Sequence, residues 1–388
     1  MNLKPTKRKF QVDFVLVIML VIFTATSLLS IYLAAPISNI SGLLLKQGQW
    51  VIISVVFLLV LIRLGRVKIY ELNKIAYWFL LGALALLILD RFIDLPFISP
   101  IKGSRSWYVF PKIGSFQPSE FMKWVLLIGT SEIIDEHNKV KKEHSYKLDI
   151  LLFYKVIKYI AAPLVLMILQ PDTGIPLVIL AGIALMIMIS GIKRGWIIFG
   201  ITFLAIVVGG VIFLFETNPV LLGKILGAPY KLSRFYGWLE TERYYLSFGN
   251  QLYQSLLTIG SAGLLGHPLR EVVLYFPEPQ NDFIFTVIIQ NLGLIGGGFV
   301  LLITGLLNFK IASIAGKYSG FREKYLVAGF LGILLFQQIE NMGMVIGLLP
   351  ITGITLPLIS YGGSSLLSFM IPFSIVFLMS SRNIEEGR

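Results

Sequence analysis

The chain has 388 residues, of which 56% are hydrophobic and only 14% charged, and its mean hydropathy is +0.81. No water-soluble domain could bury that share of apolar side chains, so most of the chain must be solvated by lipid and a soluble fold is excluded. The formal charge of +12 would suggest nucleic acid in a soluble protein, but here it gathers on loops suited to an anionic membrane surface, so no nucleic-acid partner is expected; the absence of cysteine excludes disulfides and thiolate metal sites.

A helix needs ~20 apolar residues to cross ~30 Å of hydrocarbon. Apolar runs fall at 14–34, 48–62, 76–90, 119–134, 151–169, 174–190, 196–215, 283–307, 326–348 and 362–380. The predicted fold is therefore an all-α polytopic membrane protein of about ten transmembrane helices, a single domain over 1–388, with one long extracellular loop (216–281) between spans seven and eight. The first run follows Lys4, Lys7, Arg8 and Lys9 and is too long for a signal-peptide core, which predicts an uncleaved span. With the termini inside, interior segments such as 63–74, 135–150 and 308–325 hold 20 of the 33 Lys and Arg residues, which predicts cytoplasmic termini.

Two connections predicted to face outward are long, 91–118 and 216–281. In the second, Tyr236, Trp238, Tyr244, Tyr245 and Tyr253 argue against disorder and suit a segment lying at the membrane interface or packed into a groove. Four places put polar groups where lipid should forbid them. In QPSEFMKW, Glu120 lies in a first helical turn and Lys123 three residues on, either a structural ion pair or part of a polar cavity. In QPDTG, Asp172 sits in a tight turn, and with Glu120 it could hold a divalent cation such as Mg²⁺ or Mn²⁺. In PEPQNDFIF, Asp282 opens the eighth span, where a carboxylate serves either as N-cap or as a base. The last is Glu340-Asn341 followed by LLPITGITLPLISYGGSS, whose Pro and Gly residues predict an unwound or re-entrant segment buried in protein or lining a cavity. No nucleotide-binding loop, HExxH or Ser/His/Asp set appears.

At these residues the chain resembles the SEDS family of shape, elongation, division and sporulation proteins (RodA, FtsW, SpoVE). The blocks that carry the resemblance are GSRSWYVFPKIGSFQPSEFMKW, QPDTG, PEPQNDFIFTVI and NMGMVIGLLPITGITLPLISYGGSS, spread over nearly the whole length. The resemblance implies a peptidoglycan glycosyltransferase that polymerises lipid II into a nascent glycan strand at the outer face of the bacterial cytoplasmic membrane, beside a class B penicillin-binding transpeptidase. It implies Asp282 as catalytic base. Arg105, Trp107, Gln117, Ser119, Glu120, Lys123 and Asp172 match the family's polar cavity positions, and Ser360, Tyr361, Gly362, Gly363 and Ser364 lie in its C-terminal block. Short tails favour the elongation-type RodA. The chain departs from the family pattern at Asn281, where Thr is usual, at Gln290-Asn291, where an acidic pair is usual, and at Ala262, His267 and Pro268 in the glycine-rich stretch. Cations available to a leaving pyrophosphate are Arg105, Lys112, Lys123, Arg234 and Arg243. Two other readings stay open: a flippase for the lipid-linked precursor, and a scaffold that only recruits the transpeptidase.

Overall fold

The computed structural model describes residues 10–387 except 39, 94, 96, 99–104, 111–113, 142, 144, 171–173 and 228. Its elements in chain order are α1 (Phe14–Ala34), α2 (Leu43–Leu89), β1 (Tyr108–Phe110), β2 (Gly114–Phe116), α3 (Pro118–Val140), α4 (Tyr146–Leu169), α5 (Gly174–Ile189), α6 (Arg194–Thr217), α7 (Pro219–Leu226), α8 (Pro229–Leu239), α9 (Asn250–Ala262), α10 (Ile284–Lys317), α11 (Phe321–Val345) and α12 (Gly363–Glu385). All ten apolar runs fall on helices, and α1, α2, α4, α6, α10, α11 and α12 are long and apolar enough to cross a membrane. The chain is an integral membrane protein, and among the described residues its strands form one antiparallel hairpin in which Tyr108 pairs with Phe116.

α2 corrects the sequence reading. Residues 63–74, expected as a loop, are helical, and the turn is Gly65 alone, at φ 75° and ψ 160°, a backbone that only glycine adopts cheaply. Trp50 in the first arm packs on Gly114 of β2, and Ala83 in the second accepts a 2.8 Å hydrogen bond from the Tyr108 hydroxyl of β1. Positions 50 and 83 therefore share one end of the bundle, and the arms are antiparallel. Polar residues that look like a loop in sequence face inward in the second arm: Asn73 donates to the Val125 carbonyl and Arg66 pairs with Glu323.

The most buried helices are α11 and α3, and α12 packs against both. An edge-to-face aromatic cluster of Trp124, Phe330, Phe369 and Phe373, with centroids 5.0 to 5.5 Å apart along its chain, fills the space between them. Small residues let α5 approach α11 closely: a Cβ on Gly182 would lie 2.9 Å from the Gly329 carbonyl oxygen. α6 is the opposite case, with Phe215 its only buried residue, so its flanks face lipid. At the end carrying the termini, Asp13 caps α1 and receives Ser380 of α12 at 2.5 Å and Lys310 of α10 at 2.9 Å. Burial alone would raise the Asp13 carboxyl, but these partners outweigh it and hold the group below its ordinary 3.8.

α10 is interrupted at Gly293 (φ 63°, ψ −164°), where the chain after α9 crosses it. Amides that would bond within the helix bond instead to the crossing strand: Leu294 N–H donates to Gly263 O at 3.1 Å and Ile295 N–H to Leu264 O at 3.3 Å. A Cβ at Gly293 would lie 2.2 Å from the Leu264 carbonyl oxygen, a contact between two backbones that no rotamer relieves. Gly293→Ala is therefore expected to lose at least about 1–3 kcal/mol from the positive φ alone. Limited proteolysis of the purified protein should then show new cleavage between residues 263 and 271; an unchanged pattern would mean that the crossing tolerates a side chain.

Candidate functional site

The polar features gather at the end of the bundle where the long connection between α6 and α10 lies. The first helical residue of α10 is Ile284 and its cap position is Phe283, so Asp282 stands one residue before the cap. Asp282 closes a turn that is stitched to the non-helical segment 346–362. Asn341, fully buried in α11, donates one amide hydrogen to Asp282 O and the other to Ile354 O, both at 2.8 Å. Ser360 donates to Asn281 O at 2.7 Å while accepting from Leu356 N–H at 2.8 Å, and Tyr361 N–H donates to Gln280 O at 2.9 Å. Asn281 donates to Glu278, whose backbone is left-handed at φ 57°.

These bonds leave the Asp282 carboxylate facing backbone. Gly353 (φ 78°) lies directly beneath it, and a Cβ built there would be 3.3 Å from Oδ2. From the long connection, α8 lays Arg234 across the same segment, with Nη1 donating to Ile351 O at 3.3 Å and Thr352 O at 3.4 Å. One turn on, Trp238 donates from Nε1 to Gly347 O at 2.8 Å. The spacing of four puts both on one helix face. Asp282, Arg234, Ser360 and Tyr361 are thus drawn into one neighbourhood by segment 346–362. Burial raises the Tyr361 phenol above its ordinary 10, which keeps it a hydrogen-bond donor. That segment is anchored from below by a buried relay in which Gln47 donates to Ser27 and Ser27 to Ile359 O.

A second group forms where α3 meets α12. Ser364 donates to Ser115 O at 2.8 Å and accepts from Gln117 N–H at 3.3 Å. Gly363 opens α12 against the Trp50 ring, so close that a Cβ would lie 2.1 Å from Cε2, and Gly362 precedes it in extended backbone. Ser119 is buried and Trp107 half-buried. Lys123 and Glu120 pair at 2.5 Å and are 1% and 7% exposed as residues. The ammonium lies over the rings of Phe369 (4.5 Å) and Trp124 (5.0 Å), closed off from solvent. Arg105 is separate again, bonded through Nη1 to Asp90 Oδ2 at 2.7 Å and Asp90 O at 2.8 Å. Asp90, Trp50 and the Gln47–Ser27 relay escaped the sequence reading; the one carboxylate of the apolar run 76–90, Asp90 at its end, was the available signal.

Asp172 and Lys112 lie outside the described residues. Among the described residues no three His, Asp or Glu side chains converge on a metal position, and Glu120, half of the expected cation pair, is committed to Lys123. Where an acidic pair is usual, Gln290 donates to Glu271 O and Asn291 accepts from Arg270 N–H at 2.7 Å. These neutral amides staple the loop after α9.

Residues 8–384 match the model of the cell cycle protein family of FtsW, RodA and SpoVE. The chain belongs to this family. Stage V sporulation protein E of Bacillus subtilis is 32% identical over 283 residues, 72% of each chain. A probable peptidoglycan glycosyltransferase FtsW of Buchnera aphidicola is 33% identical over 331 residues, 82% of each. Among solved structures, a chain from a study of how a peptidoglycan synthase complex coordinates polymerization and crosslinking superposes with a TM-score of 0.74 at 27% identity, covering 96% of this chain and 98% of that one. The Thermus thermophilus rod shape determining protein RodA superposes with a TM-score of 0.62 at 25% identity, over 95% and 96%. Membership accounts for the shared helical architecture over nearly the full length.

Proposed function

We propose that this FtsW/RodA/SpoVE family member is a peptidoglycan glycosyltransferase that polymerises lipid II, with Asp282 as general base. The observation that carries the reading is the carboxylate of Asp282 held over the Gly353 backbone by Asn341 and Ser360, with the guanidinium of Arg234 bonded to the two residues just before Gly353. The acceptor sugar's 4-hydroxyl gives its proton to Asp282 as its oxygen bonds to the anomeric carbon of the lipid-linked donor. The bond from that carbon to the phosphate oxygen breaks, and polyprenyl pyrophosphate leaves with the electron pair. In-line displacement inverts the anomeric centre. Arg234 is the cation placed to neutralise the leaving group, a stabilisation that develops as the bond breaks.

The chemistry needs its sugar in water and its prenyl chain in oil. In this reading the end with the long connection faces outward and the termini are cytoplasmic in a bacterial inner membrane, in keeping with the Lys and Arg count. The lipid-facing flanks of α6 offer the prenyl chain a route to the site from the bilayer. A class B penicillin-binding transpeptidase that crosslinks the product is the assigned partner. In an assay of purified lipid II with the reconstituted protein, Arg234→Ala is expected to lower polymerisation about 10- to 100-fold, and Arg234→Lys, which keeps the charge but not the fork, to recover part of it. Full activity in Arg234→Ala would remove the leaving-group assignment.

A further inference from the structure

α8 has two working faces. Arg234 and Trp238 hold segment 346–362, whereas Tyr236, and Glu240 just past the helix, turn toward the end of α6 and the chain that follows α8. There they help enclose an open cavity of about 600 Å³. Its walls include three contiguous rings: Phe215 and Tyr236 have centroids 5.0 Å apart at 62°, and Tyr236 and Tyr244 lie 5.2 Å apart at 50°. The polar lining is Glu216, Glu240 and Arg243, with Arg243 bonded from Nη1 to Glu240 Oε2 at 3.0 Å.

The chemistry of this lining narrows the ligand. Two carboxylates against one guanidinium make the described lining net negative, which disfavours phosphate, pyrophosphate or an anionic headgroup. Charged walls disfavour a hydrocarbon tail. A carboxylate that accepts beside a guanidinium that donates matches adjacent sugar hydroxyls, and flat rings match the C–H face of a pyranose. The volume falls in the ~300–1,000 Å³ range of small-ligand sites. We infer that the cavity between α6, α8 and residues 240–244 is a saccharide-binding subsite that takes neutral sugar units of the glycan, on the opposite face of α8 from Asp282. The inference rests on the glycosyltransferase reading for the identity of the glycan, and the shared helix would couple occupancy of the subsite to the placement of Arg234.

The test uses the full chain in lipid nanodiscs, with chitotetraose as the sugar probe and a peptidoglycan stem pentapeptide as competitor. Binding is read by saturation-transfer NMR and calorimetry. Chitotetraose should bind the parent protein, about tenfold more weakly to Tyr236→Ala and to Glu240→Gln, while Tyr244→Phe, which keeps the ring, should bind much as the parent does. Glu240→Gln guards against misfolding of the ring deletion, because Glu240 is only half-buried and bonded to an exposed partner. Absence of binding to the parent, equal binding to both weakened variants, or displacement by the pentapeptide would each overturn the subsite. Asp282→Asn should bind chitotetraose normally. If that variant keeps full polymerisation while Tyr236→Ala still loses chitotetraose, the base assignment falls and the subsite stands; the reverse pattern removes the subsite alone.

Discussion

Asp282→Asn is expected to reduce glycan polymerisation about 10²- to 10⁴-fold, the contribution general-base catalysis ordinarily makes. The change is nearly isosteric and removes only the basicity. The turn that carries residue 282 is held through backbone atoms, Asp282 O to Asn341 and Asn281 O to Ser360, so the variant should fold and melt like the parent. Asp282→Glu tests position rather than charge. Its carboxylate would be carried one methylene further in a space so close to Gly353 that a Cβ there would lie 3.3 Å from Oδ2, and a misplacement of about 1 Å can cost ~10²-fold. Activity in Asp282→Glu close to that of the parent would show that the geometry over Gly353 does not matter.

Lys123→Ala is expected to destabilise the protein by about 3–5 kcal/mol, because it strands the carboxylate of Glu120 in a site it shares with Trp124 and Phe369. Replacing the pair together, as Glu120→Gln with Lys123→Met, removes both charges at similar volume and should regain most of the loss. The check is a double-mutant cycle on thermal unfolding of the purified protein in detergent. If Lys123→Ala instead melted normally and only lost activity, the ammonium would have to reach substrate, and the sealed arrangement between α3 and α12 would not be the working one.

The apolar runs were legible because crossing a bilayer imposes length and composition on each segment, and every one of the ten lies on a helix. The unwound segment after Glu340-Asn341 was legible for a related reason: Pro350, Gly353, Pro357 and Gly362 cannot continue a helix, and residues 346–362 are indeed non-helical. What sequence could not supply was pairing across the chain. A loop and a helical hairpin read alike over 63–74, since only the third dimension shows that Arg66 and Asn73 have inward partners. Whether Asp282 opens the helix or precedes it depended on one residue of helix register. Arg105, expected beside the other cavity residues, has its partner in Asp90, a link across fifteen positions that no local pattern announces.

The account's central claim is that this chain makes glycosidic bonds itself, with Asp282 taking the proton. The most direct measurement supplies purified lipid II in detergent micelles, where no membrane remains to be crossed, and follows polyprenyl pyrophosphate release together with glycan length. The account predicts one pyrophosphate released per bond formed by the parent protein and both products lowered together, about 10²- to 10⁴-fold, in Asp282→Asn. Sided transport of lipid II in sealed vesicles, with no polymer from micellar substrate, would contradict it.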